Sequence, residues 1–193
     1  ALSIEEREAD PFDEKKVQEA ITRKKGAAAP AHLHVMSGSA TCPGSTHAVF
    51  ERKDPAVPGK VQTAGQPSEL THWPVQLHLI NPAADFFQGK DVVLAADCVA
   101  FTLGDFHQRF LKGKSLAIAC PKLDDGLDEY IEKIRRMVDE ARINTLTVVM
   151  MQVPCCRGLM QIAQTALQKS ARKVPLKAVV ISIQGDVLSE EWV

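Results

Sequence analysis

Thr147-Val-Val-Met-Met-Gln-Val-Pro-Cys-Cys-Arg-Gly-Leu159 decides how the chain is read. Its apolar, β-branched run from Val148 to Met151, continued by Val153, has the pattern of a buried strand. Pro154 has no N–H to give to a ladder and ends the strand. Cys155 and Cys156 follow, and Arg157-Gly158 leads into a helix with Leu159, Ile162, Ala163, Ala166 and Leu167 on one face. The order is strand, thiols, helix start. Free backbone N–H groups and the helix dipole favour negative charge at such a start, which suits a thiolate or an anionic cluster.

The same order occurs twice upstream. Asp91–Ala96 is a buried strand ending in Asp97-Cys98, followed by a short helix over Leu103–Leu111 with Phe106 and Phe110 inward. Ser115–Ala119 is a strand ending at Cys120-Pro121. Asp124 and Asp125 then stand where a helix cap is expected, before Leu127, Ile131, Ile134, Val138 and Ala141 at helical spacing. A last strand spans Ala178–Ile183, and the alternation from Val75 to Leu79 marks a short or edge strand. Continuous apolar strands alternating with amphipathic helices imply an α/β fold. We expect three layers: a mostly parallel sheet of about four to five strands, joined by right-handed crossovers and covered by helices on both faces.

The N-terminal third is different. Ala1–Glu8 reads as a strand already in progress, and Asp13–Lys25 as a short amphipathic helix with Val17, Ala20 and Ile21 on one side. Gly, Ala, Ser and Pro dominate Gly26–Leu70, which is expected to be an irregular arm lying over the domain. Its distinctive passage is Thr41-Cys-Pro-Gly-Ser-Thr-His47, a turn carrying a thiol. A long loop of this kind is usually either functional or disordered, and the thiol-bearing turn favours function. The division expected is therefore 1–70, tail and arm with Cys42, and 71–193, the α/β domain.

Composition narrows the function. The 193 residues are 45% apolar and 24% charged, enough for one well-filled core. Aromatics at 5% leave few platforms for stacking single-stranded nucleic acid, and a net charge of −1 gives no electrostatic grip on nucleic acid or anionic membrane. No apolar run reaches the roughly 18 residues of a membrane span. With no secretory leader pattern, a cytoplasmic location is expected, where five cysteines are better explained by metal binding or reactive thiols than by disulfides.

In an open parallel sheet, ligands bind beyond the carboxyl ends of the strands. Cys98, Cys120 and the Cys155-Cys156 pair fall at three such ends, and Cys42 on the arm could close the site from above. Prolines beside Cys42, Cys120 and Cys155 stiffen each turn. Four thiolates suit a [4Fe–4S] cluster, with tetrahedral zinc as the alternative. Against this stands the plainer account of cysteine as a small buried hydrophobe. His47 shares the turn of Cys42, and both a place beside the ligands and solvent exposure remain open for it. His107 is read as a helix-surface histidine, with a ligand or proton-donor role as the alternative. Arg157 either offsets negative charge on a cluster or is simply solvated. No G-x-G-x-x-G follows any of the strands, which speaks against a dinucleotide site.

Trp73-Pro-Val-Gln-Leu-His-Leu, Ala95-Ala-Asp-Cys-Val-Ala-Phe101, Ala119-Cys-Pro-Lys-Leu-Asp-Asp125 and Val153-Pro-Cys-Cys-Arg-Gly158, with Cys42-Pro-Gly-Ser45 upstream, together resemble a family of iron–sulfur proteins from anaerobic microbes. In that family such a cysteine-rich module follows a ferredoxin domain carrying two [4Fe–4S] clusters. The similarity covers about Cys42–Asp186, and Ala1-Leu-Ser-Ile-Glu resembles the strand after a ferredoxin's last Cys-Pro. The ferredoxin pattern C-x₂-C-x₂-C-x₃-C-P is absent here, so this chain resembles the downstream half. The resemblance implies electron transfer or redox chemistry, a component of an oxidoreductase, a ferredoxin domain or other redox protein as partner, and no specified substrate. A homodimer is among the assemblies to be expected. The rival readings are a zinc site that fastens the arm for structure or partner binding, and a cysteine enzyme with His107 as base.

Overall fold

The computed structural model describes residues 47–50 and 67–193, all within the unit Thr41–Val193. The readings made for Ala1–Glu8, Asp13–Lys25, Cys42 and most of the arm lie outside the described residues.

The strands are β1 (Ala48–Val49), β2 (His72–Trp73), β3 (Asp91–Ala96), β4 (Ser115–Ala119), β5 (Thr145–Met151), β6 (Leu176–Ile181) and β7 (Val187–Trp192). The α-helices are α1 (Val99–Thr102), α2 (Leu127–Asp139) and α3 (Arg157–Lys169). The main sheet has five strands in the order β4-β3-β5-β6-β7, all parallel except β7, which returns antiparallel from β6. This is the expected α/β architecture. The strands are apolar throughout because the sheet is covered: Val92–Ala96 of β3 and Leu146–Met151 of β5 are all buried.

Strand order fixes the layering. The chain moves one way from β3 to β4, then doubles back to β5 and onward to β6. Right-handed crossovers therefore put α2 and α3 on one face and the β3–β4 connection on the other. α2 and α3 do pack against each other. α2 buries Tyr130, Ile134, Met137 and Val138, and α3 buries Leu159, Ile162, Ala163 and Ala166, the face expected of the latter.

Several expectations are corrected. The strand expected over Val75–Leu79 is a single bridge: Leu77 N–H donates to Ile118 O and Ile118 N–H to Val75 O, each at 2.8 Å. Beyond it Gln76 O accepts from Leu79 N–H and Ile80 N–H, which turns the chain away. Of the helix expected over Leu103–Leu111 only a wide turn at His107–Leu111 forms, preceded by the separate short α1, with Phe106 and Phe110 buried as expected. Thr102 Oγ1 donates to Val99 O at 3.0 Å and Leu103 is extended, so α1 stops after one turn. Asp124 and Asp125 do not cap α2. Its first residue is preceded by Gly126 in the left-handed conformation (φ 71°), with no side-chain cap. The last parallel strand lies two residues earlier than expected, leaving Ile183 exposed, and β7 follows after Gly185. Among the described residues, no helix is long and apolar enough to cross a membrane.

Candidate functional site

β3 sits between β4 and β5, so the chain leaves the middle strand in one direction and comes back in the other. The crevice at the carboxyl ends of β3 and β5 is the switch point where open α/β sheets bind ligands. Cys98 follows β3, Cys120 follows β4, and Cys155-Cys156 follow β5 by way of a short 3₁₀ turn, Pro154–Cys156. The sulfur-bearing turns thus issue from three adjoining strands. Cys98, Cys120, Cys155 and Cys156 are all free thiols.

Two contacts draw these turns together. A Cβ built on Gly158, in the first turn of α3, would stand 3.1 Å from Pro121 Cβ, so the Cys120-Pro121 turn reaches across to the helix that begins after Cys156. Cys156 is also an electrostatic neighbour of both Cys155 and Cys98. Burial pushes the Cys156 thiol up, and charge on Cys155 or Cys98 would push it further. Cys98 and Cys155 are exposed, Cys120 half-buried and Cys156 buried. Among the described residues, no three His, Cys, Asp or Glu side chains close around one point tightly enough for a metal ion. A cluster, whose ligand sulfurs stand farther apart than those on one ion, asks for a looser arrangement.

Sequence reasoning took Asp124 for a helix cap and missed its part here. Asp124 Oδ2 accepts from Cys120 N–H at 2.8 Å and from the Tyr130 hydroxyl at 2.8 Å. Tyr130, the chain's one tyrosine, is fully buried, and its hydroxyl lies 3.2 Å from His78 Nδ1. Burial and then the bond to Asp124 hold the phenol above its ordinary range. Asp97, beside Cys98, has a buried Oδ1 with no hydrogen-bond partner; burial, with the Asp124 charge nearby, raises its carboxyl above the usual range. A tyrosine inside the apolar stripe of α2 was the available signal, since a buried phenol needs a partner.

The other candidates lie elsewhere or stay unengaged. His47 meets the ring of Phe86 edge-on at 5.7 Å, and Phe86 O takes the hydroxyl of Ser115 at the amino end of β4, away from the thiols. His107 Nδ1 accepts from Glu69 N–H at 3.0 Å, which ties the 67–70 segment to the β3–β4 connection. Arg157 opens α3, exposed, directly after Cys156. Cys42 lies outside the described residues. A cavity of about 330 Å³ at the amino ends, lined by Val49, Phe86, Lys90 and Lys114 among others, contains no thiol.

Residues 84–193, more than half the chain, match the Rossmann-like domain family. The chain belongs to that family. A relative from Archaeoglobus fulgidus, described as an uncharacterized protein, is 31% identical over 119 residues, covering 62% of this chain and 83% of the relative. No solved structure gives a significant match. Membership of the Rossmann-like domain family agrees with the α/β fold described above. In this member the turn after β3 reads Asp97-Cys98-Val99, with thiol and carboxylate in place of the glycines that admit a pyrophosphate.

Proposed function

We propose that the chain is an iron–sulfur redox module that holds a cluster, expected to be [4Fe–4S], at the carboxyl ends of β4, β3 and β5. Cys98, Cys120 and one or both of Cys155 and Cys156 are its ligands, with Cys42 as the further ligand from the arm. The observation carrying this reading is the meeting of Pro121 with Gly158, which joins two of the cysteine turns across the end of the strand that bears the third. The donor set is all thiol, and soft thiolates select Fe–S centres and zinc over harder cations. When bound, the cluster would supply one-electron chemistry. The N–H groups at the start of α3 and the Arg157 guanidinium would offset its negative charge, while the buried walls of the crevice tune its potential. The reading makes the chain an electron-transfer component, with a ferredoxin domain or other redox protein as partner.

Full-length protein purified without oxygen and assayed for iron and acid-labile sulfide tests this. Stoichiometric amounts of both, lost on Cys98→Ser or on the double change Cys155→Ser with Cys156→Ser, the fold being retained, are expected. Colourless protein without iron overturns the reading. Stoichiometric zinc without sulfide would replace it with the structural zinc site.

A further inference from the structure

We infer that Asp124 is the positioning residue of the proposed cluster: its carboxylate, anchored by Tyr130, takes up the Cys120 N–H so that only the Cys120 sulfur is left to face the bound group. This rests on the iron–sulfur reading and adds to it a determinant of the cluster's potential.

Both backbone groups of Cys120 are engaged within its own turn. Its N–H goes to Asp124 Oδ2, and its carbonyl accepts from Leu123 N–H at 3.1 Å and Asp124 N–H at 2.9 Å. Asp124 is in turn fixed to the core of α2 through the fully buried Tyr130, whose hydroxyl contacts His78 from the other side. The chain of contacts runs Cys120, Asp124, Tyr130, His78, and it clamps one cysteine turn to a helix packed under the sheet. A bond from a backbone N–H to a ligand sulfur raises a cluster's potential, and added negative charge nearby lowers it. Asp124 works in the same direction on both counts. It withholds the Cys120 N–H from sulfur and adds a carboxylate beside the crevice. An Asp124 turned to cap α2 would have left the Cys120 N–H free.

Potentiometric titration of the full-length protein, followed by EPR, tests the inference on Asp124→Ala, Asp124→Asn, Tyr130→Phe and, as a charge control, the exposed Asp125→Asn. An upward shift of midpoint potential is expected in Asp124→Ala, and a smaller one in Asp124→Asn, which keeps an acceptor for the Cys120 N–H. Tyr130→Phe should broaden the EPR signal with a small shift, and Asp125→Asn should match wild type. Wild-type potential in Asp124→Ala with iron retained overturns the inference and leaves the iron–sulfur reading standing. Absence of iron and sulfide from the wild-type protein overturns that reading itself, and the inference with it. If Asp124→Ala fails to fold, Asp124→Asn decides: a shifted potential supports the role, and an unmoved one overturns it.

Discussion

His72 makes the fold acid-sensitive in a defined window. It is fully buried on β2, stacked on Phe86 with ring centroids 4.1 Å apart, and its Nε2 accepts from Leu116 N–H at 2.9 Å. Burial pulls its pKa from the ordinary 6.5 down to about 4. An imidazolium would set a second N–H against that of Leu116, so the folded state resists the proton. The unfolded chain accepts it below 6.5 and the folded chain only below about 4. Stability from this group is therefore complete above 6.5 and falls as pH drops towards 4. At about 1.4 kcal/mol per pH unit across that interval, the loss comes to about 3 kcal/mol. Urea denaturation of wild type and His72→Gln across this range isolates it, since carboxylates contribute equally to both. His72→Gln, which keeps an acceptor for Leu116 but loses the stacking, should be less stable near neutrality by about 1–2 kcal/mol. The gap should close, then reverse, as pH falls. A constant gap between the two proteins at every pH would refute the reasoning.

Three further outcomes follow from other parts of the fold. Gly185→Ala places a Cβ 2.3 Å from Thr102 O at a φ of 93°, so thermal or denaturant melting should show a loss of about 2–4 kcal/mol. Asp139→Ala removes the acceptor for Ala171 N–H and Arg172 N–H and the partner of Arg135, joining the end of α2 to the chain after α3. A loss of about 1–3 kcal/mol is expected from denaturant melting. In metal-free, reduced protein, iodoacetamide followed by mass spectrometry should label exposed Cys98 and Cys155 first, Cys120 more slowly, and buried Cys156 last, because its raised thiol pKa leaves little thiolate.

The parallel core was legible because burial on both faces writes itself as unbroken apolar runs. Asp91–Ala96 and Ser115–Ala119 coincide with β3 and β4. The face of α3 was legible for the same reason, as helical spacing is a direct record of what is inside. What escaped was decided by single side-chain bonds. Thr102 returning its hydroxyl to Val99 shortens the helix after Cys98, and no periodicity announces that. Asp124 stands where a cap would stand, yet its oxygen reaches back four residues to Cys120 because Gly126 bends the chain before α2. The alternation from Val75 to Leu79 resembles a strand but has only one edge, Ile118 of β4, to meet. The order of the cysteine-bearing turns could be anticipated from their strands. The meeting of Pro121 and Gly158 required the crossovers to be in place.

Because the cysteine turns rise from adjoining rungs of one hydrogen-bonded ladder, their separation is gauged by the backbone. Neighbouring strands stand about 4.8 Å apart, so the strands that launch the outer two turns are set roughly 10 Å apart whatever the connecting helices do, and Pro121 leans in to Gly158 from there. Lengthening α2 or redrawing the surface would leave that calliper untouched. On the proposed reading, the room for a bound group is set first by the pleated floor beneath the thiols, and a change of guest would demand new turns and leave the scaffold as it is.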